Sequence, residues 1–455
     1  MYGSDVYHGF NFDEPLLNWR KIKQIAVGRD RFFRAMYTVI RVERSYARLN
    51  KKVRKGKEEQ GWTREIYHPM YKELHKKNAH LMYKLCKNNG ATWVKFAQFL
   101  SARPDILPRA YIEALKPLQN ANRSVPFSAL VPVLVEELGP NWRDLFEWVG
   151  EEPIATASIA QVHKARLKNG QEVAIKVQLP EVDELFDQDF TVFQLIGVLL
   201  DGKIPSVDVK QMIRFMLEMT AEELNFQYEY ANTKRFGELN HQPRIRVPVL
   251  QHDLCKKRVM VTNWIEGKRL VDILDECYRN DDTDHIRDLL TVLQNSYMQQ
   301  ITEFGCFQAD PHPGNFLVDA EDNVWIVDYG TIGRLTPEET INYSMLIMAM
   351  MQGNTKNLGP LMKKAGFKGL SDEIVDEMSV YAINPKKAMK SQKGRAMDEV
   401  INEFMERFQE FHVEVPDNFL AIGRVLATLG GFFQTYKIKF QGMPGMPTMN
   451  TAKES

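Results

Sequence analysis

The spacing of apolar and polar residues predicts a helical first third of the chain, followed by a short region of strands. Apolar positions recur at helical spacing over residues 68–87 and 92–100, and residues up to about 150 are predicted to be largely helical. The pattern then predicts strands over Ile159–Ala165 and Glu172–Gln178, joined by a turn at Lys168–Gly170. The predicted secondary structure therefore changes from helices to strands near residue 151.

The part that follows mixes helices with short strands. The same patterns predict two helices, two short strands and a hairpin, at Val182–Leu200, Val209–Leu239, Val247–Leu250, Arg258–Ile265 and Phe316–Val327. Helices dominate again from Val271, apart from the hairpin. This order of a helical region, a small sheet with inserted helices and a larger helical region indicates an α+β protein with a two-lobed core.

The amino-acid composition is consistent with a two-lobed α+β protein and argues against several other classes of protein. Of the 455 residues, 44% are hydrophobic and 26% are charged, as is usual for globular domains. The four cysteines are scattered without a CxxC pair, which argues against a disulfide framework or a zinc site and fits a reducing compartment. No apolar run reaches the roughly 18 residues of a membrane-spanning helix, since Arg424 interrupts the nearest candidate, Phe419–Phe433. The first residues also lack the pattern of a secretory signal.

Charge is distributed unevenly although the net charge is zero. Residues 19–57 contain 14 lysines or arginines and two acids, a local charge of +12, and their apolar residues recur at helical spacing. A basic amphipathic helix of this kind can lie on an anionic membrane surface. A solvated helix face packed against the protein itself is an equal alternative. Nucleic acid binding is disfavoured because no base-reading motif accompanies the charge.

The clearest candidate chemistry lies in the segment Gln308-Ala-Asp-Pro-His-Pro-Gly-Asn315. Asp310 and Asn315 have the Asp-x-x-x-x-Asn spacing of a kinase catalytic loop, in which the aspartate accepts the proton of a hydroxyl and the asparagine oxygen binds Mg²⁺. Pro311 and Pro313 keep this segment out of a helix. We therefore predict Asp310 as a catalytic residue and Asn315 as a metal ligand.

The predicted hairpin should bring a second metal ligand to the same place. It returns the chain to its start, so that Asp328 of Asp328-Tyr329-Gly330 should lie beside Asn315. A carboxylate and an amide oxygen form the hard-oxygen site that Mg²⁺ prefers. The alternative is an ordinary hairpin that ends in a surface aspartate.

A kinase-like site also requires a lysine for the α- and β-phosphates of ATP and a loop that covers them. Lys176 follows Val173-Ala174-Ile175 on a predicted strand and is the candidate lysine. The covering loop contains Ala155, Ala157 and Ser158 where a glycine-rich sequence is usual, and alanine lacks the access of glycine to positive φ. Glu223 and Glu229 lie on one predicted helix, but six residues apart, so they should serve different partners.

Together these motifs resemble the UbiB (ABC1/ADCK) family of atypical kinases, over residues 83–436. The resemblance also includes Trp93-Val-Lys-Phe-Ala-Gln98 and Ser101-Ala-Arg-Pro-Asp105, which are similar to the Lys-x-Gly-Gln signature of that family. It implies a bilobal protein-kinase-like fold with a helical N-terminal extension packed across the active-site cleft. The implied domains are a basic amphipathic region (1–80), the extension (81–150), the N-lobe (151–265) and the helical C-lobe (266–455).

The resemblance also implies roles for individual residues. Lys95 and Gln98 share a helix face and should meet Glu223 of the Glu-x-Asp motif, in a regulatory arrangement with Asn225. Glu229 is then left to orient Lys176 at the bound nucleotide. An alanine-rich loop is usual in this family.

The chain departs from the family pattern at four positions. Ala97 replaces the glycine of Lys-x-Gly-Gln, Asn225 replaces the aspartate of Glu-x-Asp, Gln308 replaces a histidine, and Asn263 stands where an acidic residue is expected. None of these changes removes a predicted phosphate or metal ligand, so they concern regulation more than nucleotide binding.

The implied function is Mg-ATP binding with ATPase or lipid-linked phosphotransfer activity. This activity would support ubiquinone or other isoprenoid-lipid metabolism, with a peripheral membrane location in the cytoplasm or in an organelle such as a mitochondrion or plastid. One alternative is a nucleotide-sensing pseudokinase or scaffold without turnover. Another is a soluble small-molecule kinase of the aminoglycoside or choline type, against which the Lys95 helix and the alanine-rich loop argue.

Overall fold

A computed structural model describes residues 19–101, 103, 107–120, 124–204, 208–352, 358–371, 374–375 and 413–438. The chain divides into two compact units. The first contains the residues up to Tyr228 together with Leu250–Trp264, and the second contains Glu229–Val249 and the residues from Ile265 onward. The predicted signature residues Ala102, Pro104 and Asp105 lie outside the described part of the chain.

Helices form most of the early part of the first unit, as predicted. Before the sheet, the described residues form the helices α1 (Trp19–Val27), α2 (Arg29–Gln60), α3 (Arg64–Asn89), α4 (Ala91–Ser101), α5 (Arg109–Leu115) and α6 (Phe127–Leu138). The helix α2 ends at Gly61, whose φ of 63° is the left-handed conformation that favours glycine after a helix. Trp93 and Phe96 on α4 pack against Phe193 at ring-centroid distances of 4.5 and 4.8 Å.

The sheet of the first unit is antiparallel. Its strands are β1 (Phe146–Val149), β2 (Ala155–Thr156), β3 (Ala160–Leu167), β4 (Glu172–Gln178) and β6 (Val259–Asn263). They run in the order β1-β3-β4-β6, and β2 also pairs with β3. The predicted strands at β3 and β4 are confirmed, and Val173, Ile175 and Val177 alternate into the core because side chains of a strand alternate between faces. The strand β1 was missed within a region predicted to be helical.

One predicted helix is divided in the structure. The helix α7 (Val182–Leu200) has the predicted bounds, but Val209–Leu239 forms two helices, α8 (Val209–Glu223) and α9 (Phe226–Leu239). The interruption is at Leu224 and Asn225, where the Asn225 side chain accepts a hydrogen bond from the Gln227 N–H at 3.1 Å. Asparagine stabilises the start of a helix in this way. The spacing of apolar residues alone does not reveal such an interruption.

The second unit combines helices with two small sheets. Its further elements are β5 (Ile245–Arg246), β7 (Gly267–Arg269), α10 (Leu270–Arg279), α11 (Thr283–Gln299), β8 (Cys306–Gln308), β9 (Phe316–Asp319), β10 (Val324–Ile326), β11 (Ile332–Arg334), α12 (Pro337–Gln352), α13 (Leu358–Lys364) and α14 (Asp417–Thr435). One sheet has the order β5-β10-β9-β7, and β8 pairs with β11 in the other. The helices and strands enclose a core that includes Tyr297, Phe307, Phe316 and Tyr329.

The predicted hairpin is confirmed, whereas one nearby strand was wrong. The strands β9 and β10 are antiparallel, with Val318 opposite Val324 and Phe316 opposite Ile326. The strand predicted over Val247–Leu250 is absent; β5 lies just before it and pairs with β10, and Leu250 makes only an isolated bridge to Thr262. Across the described residues, no helix has the length and apolar character required to span a membrane.

Candidate nucleotide and metal site

The loop between β8 and β9 is organised around the main-chain carbonyl of Asp310. This carbonyl accepts hydrogen bonds from the His312 N–H at 2.7 Å, the Gln308 side chain at 2.6 Å and the Asn315 side chain at 3.1 Å. The exposed side chain of His312 in turn accepts from the Gly314 N–H at 3.1 Å. The loop is therefore fixed by its own polar groups, while the Asp310 side chain is exposed.

The hairpin brings Asn315 close to the segment of Asp328, as its sequence predicts. The Val327 N–H donates to the Asn315 carbonyl at 3.0 Å, so the two ends of the hairpin are in register. Because the Asn315 amide nitrogen donates to Asp310, its Oδ1 is the atom left for a cation. One oxygen of the Asp328 carboxylate accepts from the Gly330 N–H at 2.8 Å, and the side chain is half-buried. An amide and a carboxylate oxygen match the preference of Mg²⁺.

Gln308, which replaces the histidine expected at this position, connects the segments of Asp310 and Asp328. Its side chain is fully buried and donates to the carbonyls of Asp310 at 2.6 Å and Asp328 at 3.4 Å. Its amide oxygen accepts from the Tyr297 hydroxyl at 2.6 Å. Burial, followed by the neighbouring Tyr329 and Asp310, raises the pKa of Tyr297, so this hydroxyl remains a donor. The hydrogen bonds of Gln308 therefore connect Tyr297 with the segments that contain Asp310 and Asp328.

Arg424 is a residue that the sequence analysis missed as part of this site. It lies on α14 and donates to the Ala309 carbonyl, next to Asp310, at 2.9 Å. The sequence showed Arg424 only as an interruption of an apolar run. A charge at an otherwise apolar helix face was the one available signal, and it did not indicate the partner.

Glu229 lies near the Asp328-Tyr329-Gly330 segment within the second unit. A Cβ atom added at Gly330 would be 3.1 Å from Asp328 Oδ1 and 3.7 Å from Glu229 Oε2. Glu229 is itself buried, at 5% exposure. Asn232, one turn further along α9, donates to the Tyr329 carbonyl at 3.0 Å. The first turns of α9 thus contact the segment that holds Asp328.

The predicted phosphate-binding lysine lies in the first unit. Lys176 is on β4, an interior strand of the sheet, opposite Val162 of β3 and Met260 of β6. Its ammonium group is 5.3 Å from the centroid of the Phe226 ring. The strand therefore holds Lys176 at a defined position. Since Glu229 belongs to the second unit, the pairing of Lys176 with Glu229 stays a prediction.

The alanine-rich loop forms a narrow turn with ordinary backbone angles. Ala155 and Thr156 pair with β3, and the Ala157 N–H donates to the Ala160 carbonyl at 2.8 Å. None of residues 155–160 has a positive φ. Alanine is therefore accommodated without strain, and Ala155, Ala157 and Ser158 remain candidates for nucleotide contact.

The predicted regulatory residues all belong to the first unit. Lys95 on α4 makes an ion pair and hydrogen bond with Glu223, the last residue of α8, as the resemblance implies. Gln98 lies three residues further along α4, where its carbonyl accepts from the Ser101 hydroxyl at 2.9 Å. Asn225 caps α9, and we therefore assign it a structural contact that the sequence analysis did not identify.

Comparison with known protein families gives a match to the ABC1 atypical kinase-like domain. The match covers residues 117–362, which is more than half of the chain and includes Lys176, Asp310, Asn315 and Asp328. The chain belongs to the ABC1 family of atypical kinases. The bilobal α+β kinase-like fold predicted from the resemblance is confirmed by this membership and by a similar solved structure described below.

Relatives of this ABC1 chain occur in plants, animals and bacteria. The Arabidopsis thaliana chloroplastic protein ACTIVITY OF BC1 COMPLEX KINASE 1 is 28% identical over 78% of this chain and 53% of its own. The Xenopus laevis AarF domain-containing protein kinase 1 is 27% identical over 74% of this chain and 64% of its own. A Clostridium pasteurianum protein of the hydrogenase 1 5′ region is 30% identical over 64% and 55%. The chain thus spans about half the length of several curated relatives.

A solved structure of similar fold comes from Mycobacterium tuberculosis. The protein Rv3197, in its complex with erythromycin, has a TM-score of 0.54 and 26% sequence identity, over 81% of this chain and 95% of that protein. The likeness extends well beyond the residues of the ABC1 domain match, since it covers four fifths of this chain.

Proposed function

We propose that this ABC1 chain binds Mg-ATP and uses it for ATP hydrolysis or for phosphoryl transfer to a small or lipid-linked acceptor. The observation that carries the proposal is the loop and hairpin that place Asp310, Asn315 and Asp328 on one network of hydrogen bonds. A family match to an atypical kinase-like domain supports the same reading.

Each residue in this proposal has a defined task. Asn315 Oδ1 and the Asp328 carboxylate would hold Mg²⁺, which would supply charge neutralisation at the phosphates. Lys176 contacts the α- and β-phosphates, with Glu229 as the residue that orients it, and the turn of Ala155, Ala157 and Ser158 approaches the phosphates. The exposed Asp310 carboxylate receives the proton of the attacking hydroxyl or water.

A membrane surface is the proposed place of action. On α2 the exposed residues Phe33, Tyr37, Arg41, Arg44 and Arg48 share one face, within an arc of about 80° at 3.6 residues per turn. Two aromatic residues followed by three arginines suit the boundary of an anionic bilayer. An isoprenoid or quinone-like lipid is the proposed substrate class by family resemblance, and the plant relative named as chloroplastic supports an organellar location.

The test of the nucleotide site uses the purified full chain. ATP with Mg²⁺ should raise the melting temperature, and slow hydrolysis should accelerate with anionic liposomes. Asp328→Asn should remove the Mg²⁺-dependent part of ATP affinity, whereas Asp284→Asn, at a surface position of the same unit, should have no effect. Unchanged affinity in Asp328→Asn would refute the metal assignment.

The test of turnover concerns Asp310. Asp310→Asn should retain ATP binding and lose hydrolysis by about 10²–10⁴-fold, the usual contribution of a general base. If the unsubstituted protein shows the thermal shift with ATP but no hydrolysis with or without lipid, the chain is a nucleotide sensor and the proposed turnover is wrong.

A further inference from the structure

A cluster of metal-ligating side chains lies at the junction of α10 and α11, apart from the candidate nucleotide residues. It consists of Cys277 in the last turn of α10, Asp282 in the connection and His285 in the first turn of α11. Their ligand atoms all lie within 4.8 Å of one another. The absence of a CxxC pair therefore did not exclude a metal site, because a mixed set of cysteine, histidine and aspartate needs no such pair.

The connection between the two helices holds this cluster in place. The Cys277 carbonyl accepts from the N–H groups of Asn280 and Asp282 at 3.1 and 2.9 Å. Asp281 adopts a positive φ of 56°, which allows the reversal of the chain. One oxygen of Asp282 caps α11 by accepting from the His285 N–H at 3.1 Å, and its other oxygen is 4.0 Å from His285 Nδ1. The backbone thus positions all three side chains.

The histidine is oriented by a fourth residue from another element. His285 Nε2 is 3.1 Å from Oδ1 of Asp322, which lies in the turn between β9 and β10. A carboxylate can only accept here, so the proton of a neutral imidazole is on Nε2 and its lone pair is on Nδ1. That lone pair points toward Cys277 Sγ, at 3.4 Å. A carboxylate that fixes the tautomer of a ligating histidine is the usual outer contact of a zinc site.

The sulfur-to-nitrogen distance also agrees with a tetrahedral ion. Metal bonds of about 2.3 Å to sulfur and about 2.0–2.1 Å to nitrogen place these two atoms about 3.5 Å apart at a tetrahedral angle. The sulfur and imidazole donors favour zinc-like ions over Mg²⁺.

We propose that Cys277, Asp282 and His285 bind a zinc-class divalent cation, with Asp322 orienting His285 and with water in the fourth position. The bound ion joins the α10–α11 connection to the turn of the hairpin. Asn315 and Asp328 lie at the other end of that hairpin, so the proposed cation also stabilises the element that carries them.

The test is a titration of the full chain with Co²⁺ in the presence of excess Mg²⁺. Co²⁺ substitutes for zinc and gives a thiolate-to-metal absorption band, which Mg²⁺ at oxygen ligands cannot produce. We expect one equivalent of Co²⁺ to produce this band and Zn²⁺ to displace it. Absence of the band in the unsubstituted protein overturns the proposal.

Substitutions assign the ligands. Cys277→Ser should eliminate the band, while Cys306→Ser, which changes another buried cysteine of the same unit, should retain it. Asp322→Asn should weaken Zn²⁺ binding about 10- to 100-fold, the usual effect of changing an outer contact. Asp282→Asn keeps a helix-capping oxygen and should also weaken binding, so it tests the site even if Cys277→Ser folds poorly. A band that persists in Cys277→Ser refutes the assignment.

Discussion

At the residue scale, Gln308 links the two segments that hold the proposed metal ligands. It is fully buried and uses both ends of its amide, with Tyr297 on one side and the carbonyls of Asp310 and Asp328 on the other. A buried polar group deprived of its partner costs about 1–3 kcal/mol. Loss of the Gln308 side chain should therefore lower the stability of the folded protein.

Replacing Gln308 by leucine tests this connection. Gln308→Leu should lower the free energy of unfolding by about 1–3 kcal/mol, because the Tyr297 hydroxyl loses its acceptor within the core. Gln308→His, which restores the residue usual in the family, should cost less because a ring nitrogen can still accept or donate. Urea denaturation measures both values. Equal stability of the leucine variant and the unsubstituted protein would contradict this role.

His75 is a second residue whose environment has a measurable consequence. It lies on α3 in hydrogen-bond contact with Tyr46 at 2.6 Å, and the same hydroxyl is 2.9 Å from that of Tyr111. Burial, followed by the charge of His68, lowers the pKa of His75 from 6.5 to about 4. The folded protein therefore keeps this imidazole neutral under conditions in which the unfolded chain protonates it.

The depressed pKa predicts a loss of stability in acid. Between pH 6.5 and about 4 the unfolded state binds a proton at His75 that the folded state does not, so the free energy of unfolding falls as the pH drops through this window. His75→Gln should reduce this slope, as measured by urea denaturation at several pH values. The control is His80→Gln, at an exposed histidine of the same helix, which should leave the slope unchanged.

At the scale of elements, the interruption between α8 and α9 separates two glutamates that lie in different compact units. Glu223 ends α8 and pairs with Lys95, whereas Glu229 lies in the first turn of α9 and belongs to the other compact unit. The sequence analysis expected different partners from their spacing on one helix. In the structure the cap at Asn225 separates them, because it starts a new helix between them.

The cap at Asn225 can be tested separately from a regulatory role. Asn225→Ala should lower the free energy of unfolding by about 1 kcal/mol, since it leaves an N–H at the start of α9 without its acceptor. Asn225→Asp restores the family residue and is an equally good cap, so its stability should be unchanged. If Asn225→Asp nevertheless alters ATP affinity, the residue also has the regulatory role predicted from the resemblance.

At the scale of the whole molecule, the exposed face of α2 is the surface that we propose for membrane binding. Its aromatic and arginine residues are separated from the candidate site in sequence, and Phe33 and Tyr37 are 61% and 66% exposed. Exposed apolar side chains that lie together beside polar residues are typical of an interaction surface. Membrane binding should therefore be separable from nucleotide binding.

Substitution of the three arginines measures this interaction. Arg41→Ala, Arg44→Ala and Arg48→Ala together should weaken binding to anionic liposomes roughly 100-fold, at about 1 kcal/mol per basic residue, with no change in ATP affinity. The matched control replaces the exposed residues Lys268, Arg279 and Lys368 by alanine. Sedimentation at rising salt provides the measurement, since screening should weaken binding of the unsubstituted protein. Similar sedimentation of both triple variants would contradict a role for α2.

Local patterns in the sequence determined much of the fold. The alternation of Val173, Ile175 and Val177 predicted β4, and the spacing of Asp310 and Asn315 with the hairpin after them predicted how Asp328 returns to the loop. These features can be predicted from the sequence because side-chain periodicity and short turns depend on residues that are close together along the chain. The same is true of the kinase-like motifs that indicated the family.

Only the tertiary structure decided which distant groups meet. The contacts of Gln308 with Tyr297, of Arg424 with the Ala309 carbonyl and of His285 with Asp322 join segments whose separation in sequence carries no periodic signal. Such contacts follow from the packing of helices and strands around a shared core. For this reason the sequence identified the proposed catalytic residues, whereas the side chains that hold them, and the cluster at Cys277, became visible only in the folded chain.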